Sequence, residues 1–263
     1  MKRIHFVEIE DQNWCPKSLR DGVTDFLQHI VYVYHLYTPI THRISQALIN
    51  SRQSHIIDLC SGGAGPWLSM IESLRKQVLN PVLTVALTDL YPNLHAFRQI
   101  RDRYPNYISY CEMSVDATQV PADLSGFRTL FSAFHHFTPE QAQAVLQDAV
   151  NAHTGIAIFE STQRHPLLLL YMLITPLLVW LNTPFIRPFR WSRLFWTYII
   201  PLIPLIVMFD GIVSCLRTYT IEELKILTEK LDAPDYHWEI GLERIGKLPV
   251  GVTYLIGFPE YLS

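Results

Sequence analysis

The residues best suited to chemistry lie at 56–67, where the sequence is IIDLCSGGAGPW. A short apolar run ends at Asp58 and leads into very small residues, and three of the chain's 11 glycines fall within four positions here. A loop without bulky side chains lets a ligand lie directly against backbone N–H groups. The pattern predicts a buried strand, a tight loop and a helix start that together bind a nucleoside-type cofactor.

Further polar residues follow the next predicted strands at equivalent places. Asp89 ends the second strand, Asp116 follows the third, and His135 and His136 follow the fourth. Ligands of doubly wound sheets bind beyond the carboxyl ends of the strands, where an acid after the second strand commonly accepts from two ribose hydroxyls. An acid after the third strand can accept from the exocyclic amine of adenine. Histidine takes protons near neutral pH, so either histidine is a candidate base, and Glu160 at the end of the fifth strand is another.

The elements that position these residues alternate between strands and helices. Apolar runs predict strands at 56–58, 82–89, 107–111, 127–134 and 155–160, with two closing strands near 236–243 and 250–258. Helical spacing predicts helices at 17–49 with a break near Pro39, after Pro66 on a face of Trp67, Ile71, Leu74 and Val78, at 95–103, and after the capping boxes that begin at Thr138 and Thr220. This alternation predicts an α/β fold with a doubly wound, seven-stranded, mostly parallel sheet.

Composition narrows the class of protein. The formal net charge of −3 provides no basic excess for phosphates, so nucleic acid is not an expected partner. The four cysteines have no paired spacing, which is typical of a reducing compartment and gives no sign of a zinc site or a disulfide framework. The N-terminus carries early charges and no long apolar core, so we expect no signal peptide and a cytoplasmic location.

An apolar insertion follows the fifth predicted strand. Two uncharged runs of about 16 residues, 166–181 and 194–209, flank the segment RPFRWSR at 187–193. Each run is shorter than the roughly 20 residues of a membrane span and contains proline, and outward-facing arginines would oppose the positive-inside rule. The insertion therefore favours two other, compatible interpretations.

The first interpretation is a monotopic patch at the membrane face, in which cations and interfacial aromatics lie among the headgroups: Arg187, Arg190, Arg193, Trp180, Trp191, Trp196 and Tyr198. The second is a helical lid that buries its apolar face on the sheet, on the N-terminal helices or on a second subunit. If a second subunit covers this face, the chain forms oligomers through the insertion. Either interpretation predicts an apolar pocket between the insertion and Tyr32, Tyr34 and Tyr37.

In their order along the chain, the motifs resemble those of the Rossmann-like, class I S-adenosylmethionine-dependent methyltransferases, over most of 50–160 and more loosely after 212. DLCSGGA at 58–64 is similar to the first family motif, although Cys60 and Ala64 stand where glycines are usual. TDLY at 88–91 resembles the ribose-binding motif, and VDATQVP at 115–121 the adenine-contacting motif. FSAFHHF at 131–137 resembles the fourth-strand segment, where a His-His pair is frequent, but FRT replaces the acid that often begins that strand.

The resemblance implies S-adenosylmethionine as the cofactor and in-line transfer of its methyl group to an acceptor, which the apolar insertion predicts to be a hydrophobic or lipid-like small molecule. His135 and His136 are the implied catalytic residues, and no metal ligand is assigned. The implied cofactor-binding residues are Asp58, Cys60, Ser61, Gly62, Gly63, Ala64, Asp89, Leu90, Asp116, Ala117 and Ser132.

The predicted organisation is an N-terminal helical cap at 1–50, a cofactor-binding domain at 51–161 and 212–263, and the insertion at 162–211. Two alternative functions stay open. One is a non-catalytic, membrane-associated protein with the same fold. The other is an NAD(P)-dependent oxidoreductase, but Cys60, Gly62 and Gly65 supply only two of the three fingerprint glycines, and Pro66 lacks an N–H for the pyrophosphate.

Overall fold

The structure, a computed structural model, describes residues 1–77 and 83–260. Its sheet has seven strands in the order β3-β2-β1-β4-β5-β7-β6, in which β7 pairs antiparallel with β5 and β6 and all other pairs are parallel. The predicted α/β fold with a mostly parallel sheet is therefore confirmed. The strands are β1 (His55–Leu59), β2 (Thr84–Leu87), β3 (Ile108–Tyr110), β4 (Phe127–Phe131), β5 (Ile156–Glu160), β6 (Tyr236–Arg244) and β7 (Gly251–Pro259).

Helices cover both faces of this sheet, so the central strands β4 and β5 are buried along their whole length. Both predicted capping boxes are present, at Thr138 before α5 and at Thr220 before α10. The α-helices of the described residues are α1 (Lys17–Val33), α2 (Thr41–Asn50), α3 (Trp67–Gln77), α4 (Leu94–Arg103), α5 (Pro139–Asn151), α6 (Pro166–Met172), α7 (Thr175–Asn182), α8 (Trp191–Leu194), α9 (Leu202–Arg217) and α10 (Ile221–Thr228).

The fourth strand is shorter than predicted. The sequence predicts it at 127–134, but it ends at Phe131, because Ser132 takes a φ of 46° and Phe134–His136 form a 3₁₀ turn. The predicted break near Pro39 is present, since α1 ends at Val33 and α2 begins at Thr41. Val78, on the predicted helix face, and Val82, at the start of the second predicted strand, lie outside the described residues.

The order of the strands reverses between β1 and β4, which pair in parallel and lie next to each other although β2 and β3 come between them in the chain. At such a switch point the connections leave in opposite directions, so a crevice forms beyond the carboxyl ends of the strands. The candidate residues after β1, β2, β3 and β4 are all brought to this edge of the sheet.

The insertion forms a helical unit that packs against α1. Leu19, Val23 and Phe26 of α1 share an apolar core with Val179 of α7 and Ile203 of α9, separate from the two cores on the sheet faces. A Cβ at Gly22 would overlap the Ile203 side chain, so glycine permits the close approach of α1 and α9. Helix α9 continues unbroken past 211 to Arg217, so the predicted boundary of the insertion falls inside a helix.

The three arginines of 187–193 do not share one environment, which corrects the expectation that all three lie among headgroups. Arg187 is exposed, but Arg193 is only 2% exposed and pairs with Asp25 of α1. Arg190 pairs with Asp21 at 3.1 Å and with Asp25 at 3.3 Å. Two of the three cations therefore hold the insertion to α1.

Many large apolar side chains of the insertion are exposed, among them Leu170, Leu173, Leu177, Leu181, Phe185, Trp191 and Ile199. Within 1–77 and 83–260, no single helix is long and apolar enough to cross a membrane, although two sharply bent helix pairs reach that length and composition together.

Candidate functional site

The loop after β1 takes the backbone shape that small residues permit. Gly62 and Gly65 have φ values of 50° and 53°, and Cys60 and Ala64 share the left-handed region with φ values of 55° and 76°. Cys60 and Ala64 occupy the two positions at which the resemblance places glycine. A side chain in this conformation costs about 1–2 kcal/mol, and hydrogen bonds from Ser61 N to Thr88 O (2.9 Å) and from Ala64 N to Ser61 O (2.7 Å) hold the loop in place.

Asp58 is buried at the end of β1. One of its carboxylate oxygens accepts from Ser61 Oγ at 2.6 Å, and the other accepts from Thr129 Oγ1 of β4 at 2.7 Å. Burial raises the pKa of Asp58 to about 6, although both hydroxyl donors lower it. The side chain therefore joins the loop to both strands of the switch point.

Asp89 and Asp116 lie beside the same loop. Asp89 Oδ2 accepts from Gly62 N at 2.8 Å and its Oδ1 accepts from Tyr91 N at 2.8 Å, while its backbone oxygen accepts from Val115 N at 2.9 Å. Asp116 is exposed, and its Oδ1 accepts from both the N–H and the hydroxyl of Thr118. The strand ends β1, β2 and β3 are thus joined by hydrogen bonds.

The Cys60 thiol of the loop is affected by all three acids. Burial raises its pKa, and the charges of Asp89, Asp58 and Asp116 raise it further. We call this assembly the acidic cradle, and define it as residues 58–65, 88–91 and 115–118. Within it Leu90 is exposed and Ala117 is buried.

Ser132 links the cradle edge of β4 to the N-terminal helices. Its Oγ lies 2.5 Å from Tyr37 Oη and 2.8 Å from Ser161 Oγ. Tyr37 was expected to line an apolar pocket, but it is 2% exposed and its ring packs against Phe131. Tyr32 and Tyr34, by contrast, are exposed as that expectation requires.

His135 is buried and held by Glu160. Its Nδ1 lies 2.8 Å from Glu160 Oε2, and its backbone N–H donates to Glu160 Oε1 at 3.1 Å. The contact with His135 lowers the pKa of Glu160 although burial opposes it. Glu160, a candidate base in the sequence, is therefore bonded to both the ring and the backbone of His135.

His136 faces two acids of the N-terminal segment. Its Nδ1 lies 3.0 Å from Asp11 Oδ2 and its Nε2 lies 3.5 Å from Glu8 Oε2. Burial lowers the pKa of His136, but Asp11 and Glu8 outweigh that effect and raise it to about 9. Sequence reasoning missed Glu8 and Asp11, because nothing local connects them to a turn more than 120 residues later.

No family model and no curated protein matches this sequence. Solved structures do resemble it. The plantazolicin methyltransferase BpumL in complex with S-adenosylhomocysteine (SAH) gives a TM-score of 0.53 at 10% identity, covering 96% of this chain and 93% of that one. The O-methyltransferase NcsB1 from neocarzinostatin biosynthesis, in complex with SAH and 1,4-dihydroxy-2-naphthoic acid, gives 0.51 at 13% identity, with 93% of this chain matched but only 59% of NcsB1.

A third neighbour, a putative O-methyltransferase from Nostoc punctiforme, gives a TM-score of 0.50 at 13% identity, with coverage of 98% of this chain and 64% of that one. This chain therefore has the fold of the Rossmann-like, class I S-adenosylmethionine-dependent methyltransferases. The antiparallel β7 between β5 and β6 also distinguishes it from the 3-2-1-4-5-6 order of the classical dinucleotide-binding fold.

Proposed function

We propose that this protein binds S-adenosylmethionine in the acidic cradle and transfers its methyl group to a hydrophobic small molecule. The observation that carries the proposal is that Asp58 and Asp89 both hydrogen-bond to one small-residue loop, through Ser61 and Gly62, at the carboxyl ends of adjacent parallel strands in a methyltransferase fold. When bound, the sulfonium cofactor supplies a pre-charged methyl group, so the protein's main task is to position a nucleophile.

The free acceptor atoms of the cradle fit this cofactor. Asp89 uses one lone pair on each oxygen for backbone N–H groups, which leaves each oxygen able to accept from a ribose hydroxyl. Asp116 Oδ2 is available to the adenine amine, since Thr118 occupies Oδ1. A Cβ built on Gly62 meets no atom within 4 Å, so the loop has open space beside Asp89.

The proposed acceptor reaches the crevice beyond β4, where His135 is the candidate for receiving its proton. Glu160 holds the Nδ1 side of the ring, so the buried Nε2, 3.6 Å from Glu8 Oε1, is the atom left for a proton and the acceptor would have to reach it there. His136 is a weaker candidate, because a pKa of about 9 keeps it protonated at neutral pH. Tyr34, directly after α1, and Tyr171 of α6 are both exposed and would give a hydrophobic acceptor an approach along the insertion.

Isothermal titration calorimetry with S-adenosylmethionine and SAH tests the cofactor assignment. We expect Asp89→Ala to weaken binding by at least about tenfold, because a charged acceptor of two hydroxyls contributes about 1.5–3 kcal/mol. Asp102→Ala, which removes an exposed acid of α4, is the matched control and should bind like wild type. Equal affinities for wild type and Asp89→Ala would show that the ribose assignment is wrong.

We further propose that 166–209 makes monotopic contact with a membrane surface. Trp191 is 77% exposed and Ile199 72% exposed, and Arg187 supplies a neighbouring exposed cation. Interfacial aromatics, apolar side chains and a cation favour an anionic headgroup layer. A membrane contact would also bring a lipophilic acceptor directly to the insertion.

Co-sedimentation with vesicles of phosphatidylcholine and phosphatidylglycerol tests the membrane contact. Trp191→Ser combined with Ile199→Ser should weaken binding about tenfold or more, since two large apolar side chains no longer leave water. Met113→Ser, which changes a 70% exposed residue outside the insertion, is the control. If the wild-type protein does not bind the vesicles, the membrane contact is wrong. If the double substitution dissociates a dimer, the exposed apolar surface belongs to a subunit interface instead.

A further inference from the structure

Three side chains between the N-terminal segment and the turn after β4 direct their ligand atoms toward one another. His135 Nε2 lies 3.6 Å from Glu8 Oε1, His136 Nε2 lies 3.5 Å from Glu8 Oε2, and the ligand atoms of the three residues all lie within 4.8 Å of one another. A tetrahedral ion with bonds of about 2.1 Å separates its ligand atoms by about 3.4 Å. The spacing therefore suits a shared metal ion.

These distances do not suit direct ion pairs. A charge-assisted hydrogen bond between imidazolium and carboxylate brings nitrogen and oxygen to about 2.7–2.9 Å. His135 Nε2 is buried and has no hydrogen-bond partner. Buried polar atoms are nearly always satisfied, so this nitrogen points to a partner that protein atoms do not supply.

The outer contacts of both histidines have the form found around metal ligands. His135 Nδ1 contacts Glu160 at 2.8 Å, and His136 Nδ1 contacts Asp11 at 3.0 Å. A histidine that ligates a metal usually donates its other ring N–H to a carboxylate, which fixes the tautomer and aims the second nitrogen. Here both Nδ1 atoms are occupied in this way and both Nε2 atoms face Glu8.

The charges around the cluster also favour a cation. Glu8, Asp11 and Glu160 contact the two imidazoles, and Arg217 Nη1, 3.3 Å from Glu8 Oε1, offsets part of their charge. Ser214 Oγ donates to the same Glu8 oxygen at 3.0 Å, so Oε2 is the freer ligand atom. A divalent ion would displace the proton that His136 shares with these acids.

We propose that Glu8, His135 and His136 bind one divalent transition-metal ion, best matched by Zn²⁺, with a further coordination position open. Two histidines and one carboxylate with an open position form a ligand set of catalytic zinc sites and of non-haem iron sites. The ion would also tie the N-terminal segment to the turn after β4. A role of the ion in methyl transfer rests on the proposed function. In that role an acceptor oxygen would bind at the open coordination position, and the ion would activate it in place of His135.

Metal content of the full chain tests the site without any assay of activity. Protein stripped with a chelator, loaded with Zn²⁺ and desalted should retain about one ion per chain by mass spectrometry of the metal. His136→Ala should retain less than about a tenth of that amount. Asp11→Asn, which removes only an outer contact, should weaken Zn²⁺ affinity about 10- to 100-fold in calorimetry.

His237→Ala is the matched control, because His237 is exposed and lies near two carboxylates, 3.8 Å from Glu239 and 3.7 Å from Glu260. It should retain zinc fully. Wild type without retained zinc, or equal zinc content in His136→Ala and His237→Ala, would overturn the metal site. Circular dichroism verifies the fold of each variant, and its affinity for SAH is measured separately, so a wild type that binds SAH but retains no zinc overturns the metal site alone.

Discussion

The acidic cradle and the insertion place their polar groups in opposite ways. In the cradle, Asp89 and Asp116 leave carboxylate lone pairs beside an open backbone loop. In the insertion, Arg190 and Arg193 turn inward onto acids of α1, so the surrounding surface is left apolar. The cradle therefore holds polar acceptor atoms at fixed positions, whereas the insertion exposes a broad apolar surface.

Removal of the Arg193 side chain should cause the largest loss of stability, and it tests whether the insertion and the cradle are energetically independent. Arg193→Ala leaves Asp25 and the carbonyl oxygens of Ile186 and Pro188 without their buried donor. We expect a loss of about 3–5 kcal/mol in the free energy of unfolding, measured in urea. Arg190→Ala, the more exposed neighbour, should cost less than about 1 kcal/mol.

The comparison predicts that this loss is confined to the insertion. The folded fraction of Arg193→Ala should bind SAH with an affinity within about twofold of wild type, because no cradle residue contacts the substituted side chain. A parallel loss of SAH affinity would show that the insertion and the cradle are one energetic unit.

Asp58 should produce the next largest effect. Because burial raises its pKa from an ordinary value near 4 to about 6, the folded chain binds more protons than the unfolded chain between these pH values. This group therefore lowers stability as pH rises from about 4 to 6, and the charge is a cost at pH 7. Asp58→Asn should raise the free energy of unfolding at pH 7 by about 1–3 kcal/mol.

The same substitution should remove that part of the pH slope and weaken cofactor binding in calorimetry. Asp102→Asn, in an exposed position, should leave both the slope and the affinity unchanged. If Asp58→Asn keeps the wild-type slope between pH 4 and 6, the buried carboxylate is not the source of it.

The smallest effect concerns the backbone of the loop. Ala64 has a φ of 76°, so Ala64→Gly relieves a left-handed side chain, whereas Ala117→Gly removes an equally buried methyl group that carries no such strain. We expect Ala64→Gly to be less destabilising than Ala117→Gly by about 1 kcal/mol in thermal unfolding. Equal costs would contradict the strain assigned to this loop.

Local signals explain what could be predicted from the sequence. The capping boxes at Thr138 and Thr220 act within four residues, and the cradle motifs each lie on one strand end, so helices α5 and α10 and the convergent acids were predictable. The end of β4 was not predictable, because the left-handed Ser132 is held by Tyr37 and Ser161, which are distant in the chain. The pairing of Arg193 with Asp25 and the contact of Glu8 with the histidines likewise join residues that are distant in the chain, so they were not predictable either.

The central claim is that the cradle binds S-adenosylmethionine rather than a dinucleotide. Native mass spectrometry of the full chain with equimolar SAH and NAD⁺ tests it most directly. The account predicts one SAH per chain, its loss in the Asp89→Ala, Asp116→Ala double variant, and no NAD⁺ adduct. A folded chain that takes up NAD⁺, or neither ligand, would contradict it.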